Sequence, residues 1–103
     1  MVSKDDLNQG DIIRVDRIRP PVLIVSKDYF NHSGEVIGCP IYEKGEAGAL
    51  HIYICTDRVS GYVQCEKMAL LDMSVRTYVK LDRIHMSDII NITDAIQGIF
   101  DHV

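Results

Sequence analysis

No run in the chain approaches the about 20 consecutive apolar residues that a membrane helix requires. The opening stretch, MVSKDDLNQG, has neither an apolar h-region nor a cleavage-like site, so a cytoplasmic protein with no membrane partner is expected. Cysteine is scarce: Cys39, Cys55 and Cys65 are odd in number and form no C-x-x-C pair, which argues against a disulfide framework. Reduced core or half-buried thiols are expected instead. Four metal ligands at recognised spacings cannot be assembled, and no metal site is expected. The histidines His32, His51, His85 and His102 are scattered, with no His-Glu pairing at helical spacing; they read as surface residues, not as general bases. Ser26 and Ser60 lack a G-x-S-x-G setting, and the glycines make neither a P-loop nor a dinucleotide fingerprint. No cofactor follows from any of these residues. Positive charge is also short: the net charge is −4, the wrong sign for long-range attraction to nucleic acid. A local basic groove remains compatible with it. Lys and Arg gather at Arg14, Arg17 and Arg19 and again at Arg76, Lys80 and Arg83, groupings that a solvated surface explains.

What is present is an ordinary globular composition in 103 residues, enough for one domain over 1–103. A chain of this size buries somewhat over about 60% of its unfolded surface. That leaves no room for a second core, so a large binding site must lie at the surface or between subunits. In DIIRVD, over 11–16, Ile13 and Val15 alternate with Arg14 and Asp16, the period of a half-buried strand. Pro20 and Pro21 then interrupt the chain, since neither donates to a sheet ladder. The β-branched run VLIVS after them predicts a central strand buried on both faces. SKDYFNHSG offers Ser26 as the cap of a helical turn, followed by loop residues. EVIGCPIY predicts a third strand, in which Gly38 marks a bulge or a close backbone approach. After the loop EKGEAGA, LHIYIC and GYVQCEK alternate and predict a hairpin around the turn TDRVSG. MALLDMS fits a helical turn or a strand end, and TYVKLD alternates again, Val79 and Leu81 opposing Tyr78 and Lys80. One amphipathic helix closes the chain, capped by Ser87, with Ile89, Ile92, Ile96, Ile99 and Phe100 on its apolar face. About six short strands, one terminal helix and no β-α-β alternation predict a mostly β fold, a curled antiparallel sheet or small barrel. Tyr29, Phe30, Tyr42, Tyr53, Tyr62 and Tyr78 offer either stacking platforms for the bases of single-stranded RNA, where they stand exposed beside Arg or Lys, or ordinary cross-strand packing, which is the expected role, with Tyr42 expected to be exposed beside the glycine-containing loop.

The order of several segments carries more than any one of them. Gly10-Asp11-Ile12-Ile13 with Val15-Asp16 resembles the opening strand of MazF/PemK toxins. Pro21-Val22-Leu23-Ile24-Val25-Ser26 with Asp28, Phe30 and Asn31 is similar to that family's R-P-x-L-V-V-S-x-D-x-F-N segment. Cys39-Pro40-Ile41 resembles its C-P-I-T strand, Gly61-Tyr62-Val63 with Glu66 its G-x-V strand, and Leu71-Asp72 with Arg76 its L-D-x-x-x-R signature. The resemblance implies an SH3-like barrel, a two-fold homodimer and the toxin of a toxin–antitoxin pair, partnered by a peptide antitoxin. It also implies metal-independent cleavage of single-stranded RNA to a cyclic phosphate, by an Arg just before the second strand and a Thr after the P-I of the third. A cation must stabilise the phosphorane charge, and a polar group must manage the protons of the 2′-OH and leaving oxygen.

Measured against that pattern, Pro20 occupies the position of the Arg, with Arg19 one residue away. Tyr42 replaces the Thr, Ala69 stands where the family often has an Arg, and the loop between the first two strands is shortened. The expected site is therefore Arg19 and Tyr42 in catalytic positions, with Arg17, Lys44 and Arg76 contacting RNA, and with cleavage weakened or lost. The alternative is a non-catalytic module that binds a protein partner on the same barrel.

Overall fold

The computed structural model describes residues 6–101. Seven strands and two helices follow one another as β1 (Asp11–Val15), β2 (Val22–Ile24), α1 (Asp28–Asn31), β3 (Glu35–Tyr42), β4 (His51–Cys55), β5 (Ser60–Gln64), β6 (Ala69–Asp72), β7 (Tyr78–Arg83) and α2 (Met86–Phe100). The strands form one antiparallel sheet in the order β4-β5-β3-β2-β1-β7, with β6 paired to the first half of β3. β3 is long enough to serve β2 along one edge while its two halves serve β6 and β5 on the other. This sharing is what curls the sheet towards a barrel. The six strands read from the sequence are all present, and MALLDMS supplies the seventh after a 3-10 turn at Cys65–Lys67.

The expectation of one core needs correction, because the central strands are covered on both sides. On one face Ile12, Leu23, Cys39, Ile41, Ile54, Val63 and Cys65 pack against Ile89 and Ile92 of α2. On the other, Ile13, Val15, Val22, Ile24 and Val36 pack with Leu7, Leu71 and Met73. Consecutive residues Ile12 and Ile13 serve opposite clusters, as the period of two requires when both faces are dry. The central placement of β2, all three residues of which are buried, agrees with its continuous apolar run. Gly38 is a close approach: a Cβ there would overlap Val22 Cγ1 across the β2–β3 pair.

Several local expectations fail for identifiable reasons. The polar residues 1–9 read from the sequence as a loose terminus; residues 1–5 lie outside the described residues, as does His102, but residues 7–9 are fixed. Leu7 is buried, Asn8 N–H donates to Asp11 Oδ2 at 2.9 Å, and Gln9 donates from its backbone to Asp28 Oδ1 and from its side chain to the Val25 carbonyl. Ser87 does not cap α2; the cap position is His85, without a side-chain hydrogen bond. Ile99 and Phe100 are exposed, since the apolar stripe of α2 runs past the sheet it covers. Val79 is exposed for a related reason, β7 being an edge strand.

Ser26 does not cap α1 either, whose cap position is Lys27. Its hydroxyl donates to Asn31 Oδ1 at 2.5 Å and accepts Ile37 N–H at 2.9 Å, while Asn31 Nδ2 donates to the carbonyls of Leu7 (2.8 Å) and Ser26 (3.1 Å). One buried amide thus ties the N-terminal segment, the end of β2 and β3 together. Asn31→Ala leaves these groups without their partners, and thermal unfolding is expected to register a loss of about 2–3 kcal/mol.

Candidate nucleic-acid interface

One end of the barrel carries a cleft of about 540 Å³ lined by Arg14, Arg19, Pro20, Pro21, Ile41, Tyr42, Glu43, Arg58, Val59, Ser60 and Leu81. Three connections build it. Alternation along β1 sends Arg14 outwards while Ile13 and Val15 are buried. The β1–β2 connection is short and turns at Arg17, whose φ of 70° lies in the left-handed region, an uncommon conformation for a side-chain-bearing residue. Arg14 Nη1 then donates to the Arg19 carbonyl at 3.3 Å, which fixes the backbone that presents the Arg19 guanidinium. Tyr42 enters from the end of β3.

The third wall is the β4–β5 turn. Thr56 Oγ1 accepts the N–H groups of Val59 (3.0 Å) and Arg58 (3.3 Å), and Thr56 N–H donates to the Val59 carbonyl at 2.7 Å. Arg58 N–H also donates to Asp82 Oδ2 on β7 at 3.3 Å. Hydrogen bonds from Thr56 first, then from the Arg83 and Arg58 backbones, with the Arg58 charge adding, hold the Asp82 carboxyl below its ordinary 3.8. These bonds favour the ionised carboxylate, so the contribution is complete above the ordinary aspartate range and is lost as pH falls through the lowered value. The turn is tied to the opposite edge of the sheet at any physiological pH.

Arg19 and Tyr42 therefore face one cleft. Arg17 lines an adjoining concavity of about 470 Å³ together with Arg14 and Arg19. Lys44 is exposed two residues beyond Tyr42, and Arg76 is half-buried in the β6–β7 connection; neither lines the cleft. Tyr42 is half-buried, not exposed as expected, because Lys67 Nζ stands 5.3 Å from its ring centre. Arg58 was not singled out by sequence reasoning; the available signal was a lone cation inside the predicted hairpin turn TDRVSG. Three arginines, from β1, the β1–β2 connection and the β4–β5 turn, with Glu43 as the one carboxylate among the lining residues, give the cleft a positive charge suited to an anion.

The remaining chemistry-bearing groups lie elsewhere. Cys39 and Cys65 are buried, and burial first, with the Glu66 carboxylate adding, pushes their thiols up to about 12 and about 11. Cys55 is exposed, against the expectation of a half-buried thiol. The outward positions of β4 account for it: His51, Tyr53 and Cys55 alternate with the inward Ile52 and Ile54. No cluster of His, Cys, Asp and Glu among the described residues has the arrangement of a metal site. No helix among them is long and apolar enough to cross a membrane.

Most of the chain shares its fold with solved MazF structures. It matches MazF in the MazE–MazF complex from Deinococcus radiodurans with a TM-score of 0.85 and 17% identity, covering 94% of this chain and 98% of that one. An endoribonuclease in complex with its cognate antitoxin from mycobacterial species gives 0.79 and 18%, over 91% and 94%. A mycobacterial endoribonuclease without antitoxin gives 0.81 and 19%, over 93% and 92%. At such identities the likeness speaks for the fold alone. Comparison with curated protein sequences yields no match. A family model, however, matches residues 7–100, and its description is a PemK-like, MazF-like toxin of type II toxin–antitoxin system. With nearly all of its length matched by that model and its barrel shared with MazF, the chain belongs to the PemK/MazF toxin family.

Proposed function

We propose that this protein is a single-stranded-RNA-binding toxin of the family whose cleavage step is weakened or lost. The observation that carries the reading is the convergence of Arg14, Arg19 and Arg58 with Tyr42 on one cleft. Guanidinium groups bind phosphate oxygens in a bidentate fork, and an oxygen donor beside them can hydrogen-bond the same phosphate. Transition-state stabilisation asks for more: donors must sit where charge develops, without reorganising. Here the family's arginine position is a proline, and Arg19 is an exposed side chain on a turn. Its guanidinium suits binding better than fixed catalysis, and Tyr42 brings a longer, partly covered donor in place of a threonine hydroxyl. Arg17, in the concavity beside Arg14 and Arg19, and Lys44 and Arg76, which lie outside the cleft lining, are the further RNA contacts of this reading.

The reading extends to a two-fold homodimer and a peptide antitoxin. Proteins of the same fold solved with MazE and with a cognate antitoxin support the antitoxin part of it. The test is incubation of purified protein with a long single-stranded RNA in EDTA, with gel-shift and fragment analysis on the same samples. Retained complexes with little or no cleavage are expected, as is elution at twice the chain mass by light scattering. Intact RNA with no complex at high protein excess would overturn the reading in favour of a protein-binding module. Abundant specific fragments, lost on Arg19→Ala, would overturn the weakened cleavage.

A further inference from the structure

The outward face of the β3–β5–β4 sheet carries three tyrosines in one row. Tyr42 is the register partner of Tyr62, and Tyr62 is the register partner of Tyr53. Their neighbours Ile41, Val63 and Ile54 are buried, so the period of two turns all three tyrosines away from the core. Residues directly opposite on antiparallel strands have Cβ atoms about 5 Å apart, which makes the row continuous. The Tyr53 and Tyr62 rings meet edge to face, with centroids 5.2 Å apart and planes at 61°. At the other end the Lys67 ammonium stands over Tyr42. Gly45 of the β3–β4 loop lies against Tyr62, where even a Cβ would come to 3.4 Å from Cδ2. The rings are thus held by one another and by the loop, yet Tyr53 keeps 51% of its surface open.

We infer that this row is a stacking track for the bases of a single-stranded RNA whose phosphates lie in the arginine cleft; the inference rests on the RNA-binding role proposed above. Tyr42 belongs to both features, lining the cleft and beginning the row. This continuity is what favours nucleic acid as the occupant. A strand of RNA leaving the guanidinium groups meets aromatic faces next, and a Lys charge stands at the junction. Aromatic faces accept any base, because every base presents a π-surface. Two interstrand spacings of about 4.8 Å give the row a length of about 10 Å, enough for a short run of bases beyond those nearest the cleft.

The chain has five tyrosines and no tryptophan, so its intrinsic emission reports the tyrosines directly. Oligouridylates of about four and about ten nucleotides span the range of such sites and are titrated at low salt. Quenching of tyrosine emission is expected, with the longer oligomer bound more tightly. Tyr53→Val is expected to weaken the longer oligomer about tenfold and to leave the shorter one unchanged, while Tyr53→Phe, which keeps the ring, restores the affinity. A thermal melt of each variant shows that the hairpin is intact. Equal binding of the longer oligomer by Tyr53→Val and the parent, with Arg58→Ala still weakening it, would overturn the track, reassign the face to a protein partner and leave the cleft standing. Absence of binding by the parent protein would overturn the track and the cleft together.

Discussion

Removing Arg19 and Arg58 together is expected to lower affinity for single-stranded RNA about a hundredfold at low salt, each alone by about tenfold, because a charged hydrogen bond to phosphate contributes about 1.5–3 kcal/mol. The two residues reach the cleft from different connections, β1–β2 and β4–β5, so neither substitution disturbs the anchor of the other. Both side chains are exposed, and their loss leaves no buried group unsatisfied. Stability should hardly change. Salt dependence supplies a second readout. Each phosphate contact on a single strand contributes about 0.7 to the slope of log affinity against log salt, and the double variant should flatten that slope by about 1.4. Anisotropy titrations across a salt series measure both quantities. An unchanged slope would remove these guanidinium groups from the RNA contact, whatever happened to the affinity.

Gly61→Ala is expected to be the most damaging small substitution, destabilising the fold by about 3 kcal/mol. Gly61 has a φ of 157°, and a Cβ on it would lie 2.6 Å from the Tyr42 carbonyl oxygen, 2.9 Å from its carbon and 3.0 Å from Ile41 Cγ2. The obstruction is backbone, which cannot swing aside as a side-chain tip does. β5 would have to move away from β3 at the residue that begins the cleft, so RNA affinity should fall with stability. Gly98→Ala supplies a contrast of opposite sign. A Cβ there meets nothing within 4 Å, and alanine inside a helix is worth about 1 kcal/mol over glycine. Chemical denaturation of the two variants beside the parent distinguishes crowding from a generic glycine effect.

The strands were legible because alternation is imposed by the sheet itself. Arg14 between buried Ile13 and Val15, and Tyr53 between Ile52 and Ile54, announce their faces in the sequence. The continuous apolar run at 22–24 likewise announced a strand covered on both sides. The second apolar cluster escaped because it draws on Leu7, Leu71 and Met73, residues in segments with weak periodicity that only the sheet order brings together. Ser87 was misread as the cap because a serine in the first turn of a helix and a serine at its start look alike in sequence. Of the residues lining the cleft, Arg19 and Tyr42 were singled out through their positions in ordered motifs. Arg58 was not, since what makes it a cleft residue is the hydrogen bond from its backbone to Asp82, a contact that no local pattern encodes.

The sheet order also bears on when such a protein can act. β1 is covered by β7, and the turn carrying Arg58 is pinned by a carboxylate on that same late strand, while Leu81 lines the groove itself. Contacts so distant along the chain form slowly, and only once both partners exist. During translation the arginines of β1 and its turn emerge long before their far wall. A nascent chain on the ribosome, surrounded by the messenger it is reading, therefore carries the separate pieces of the groove but not the assembled groove until its last strand has been made.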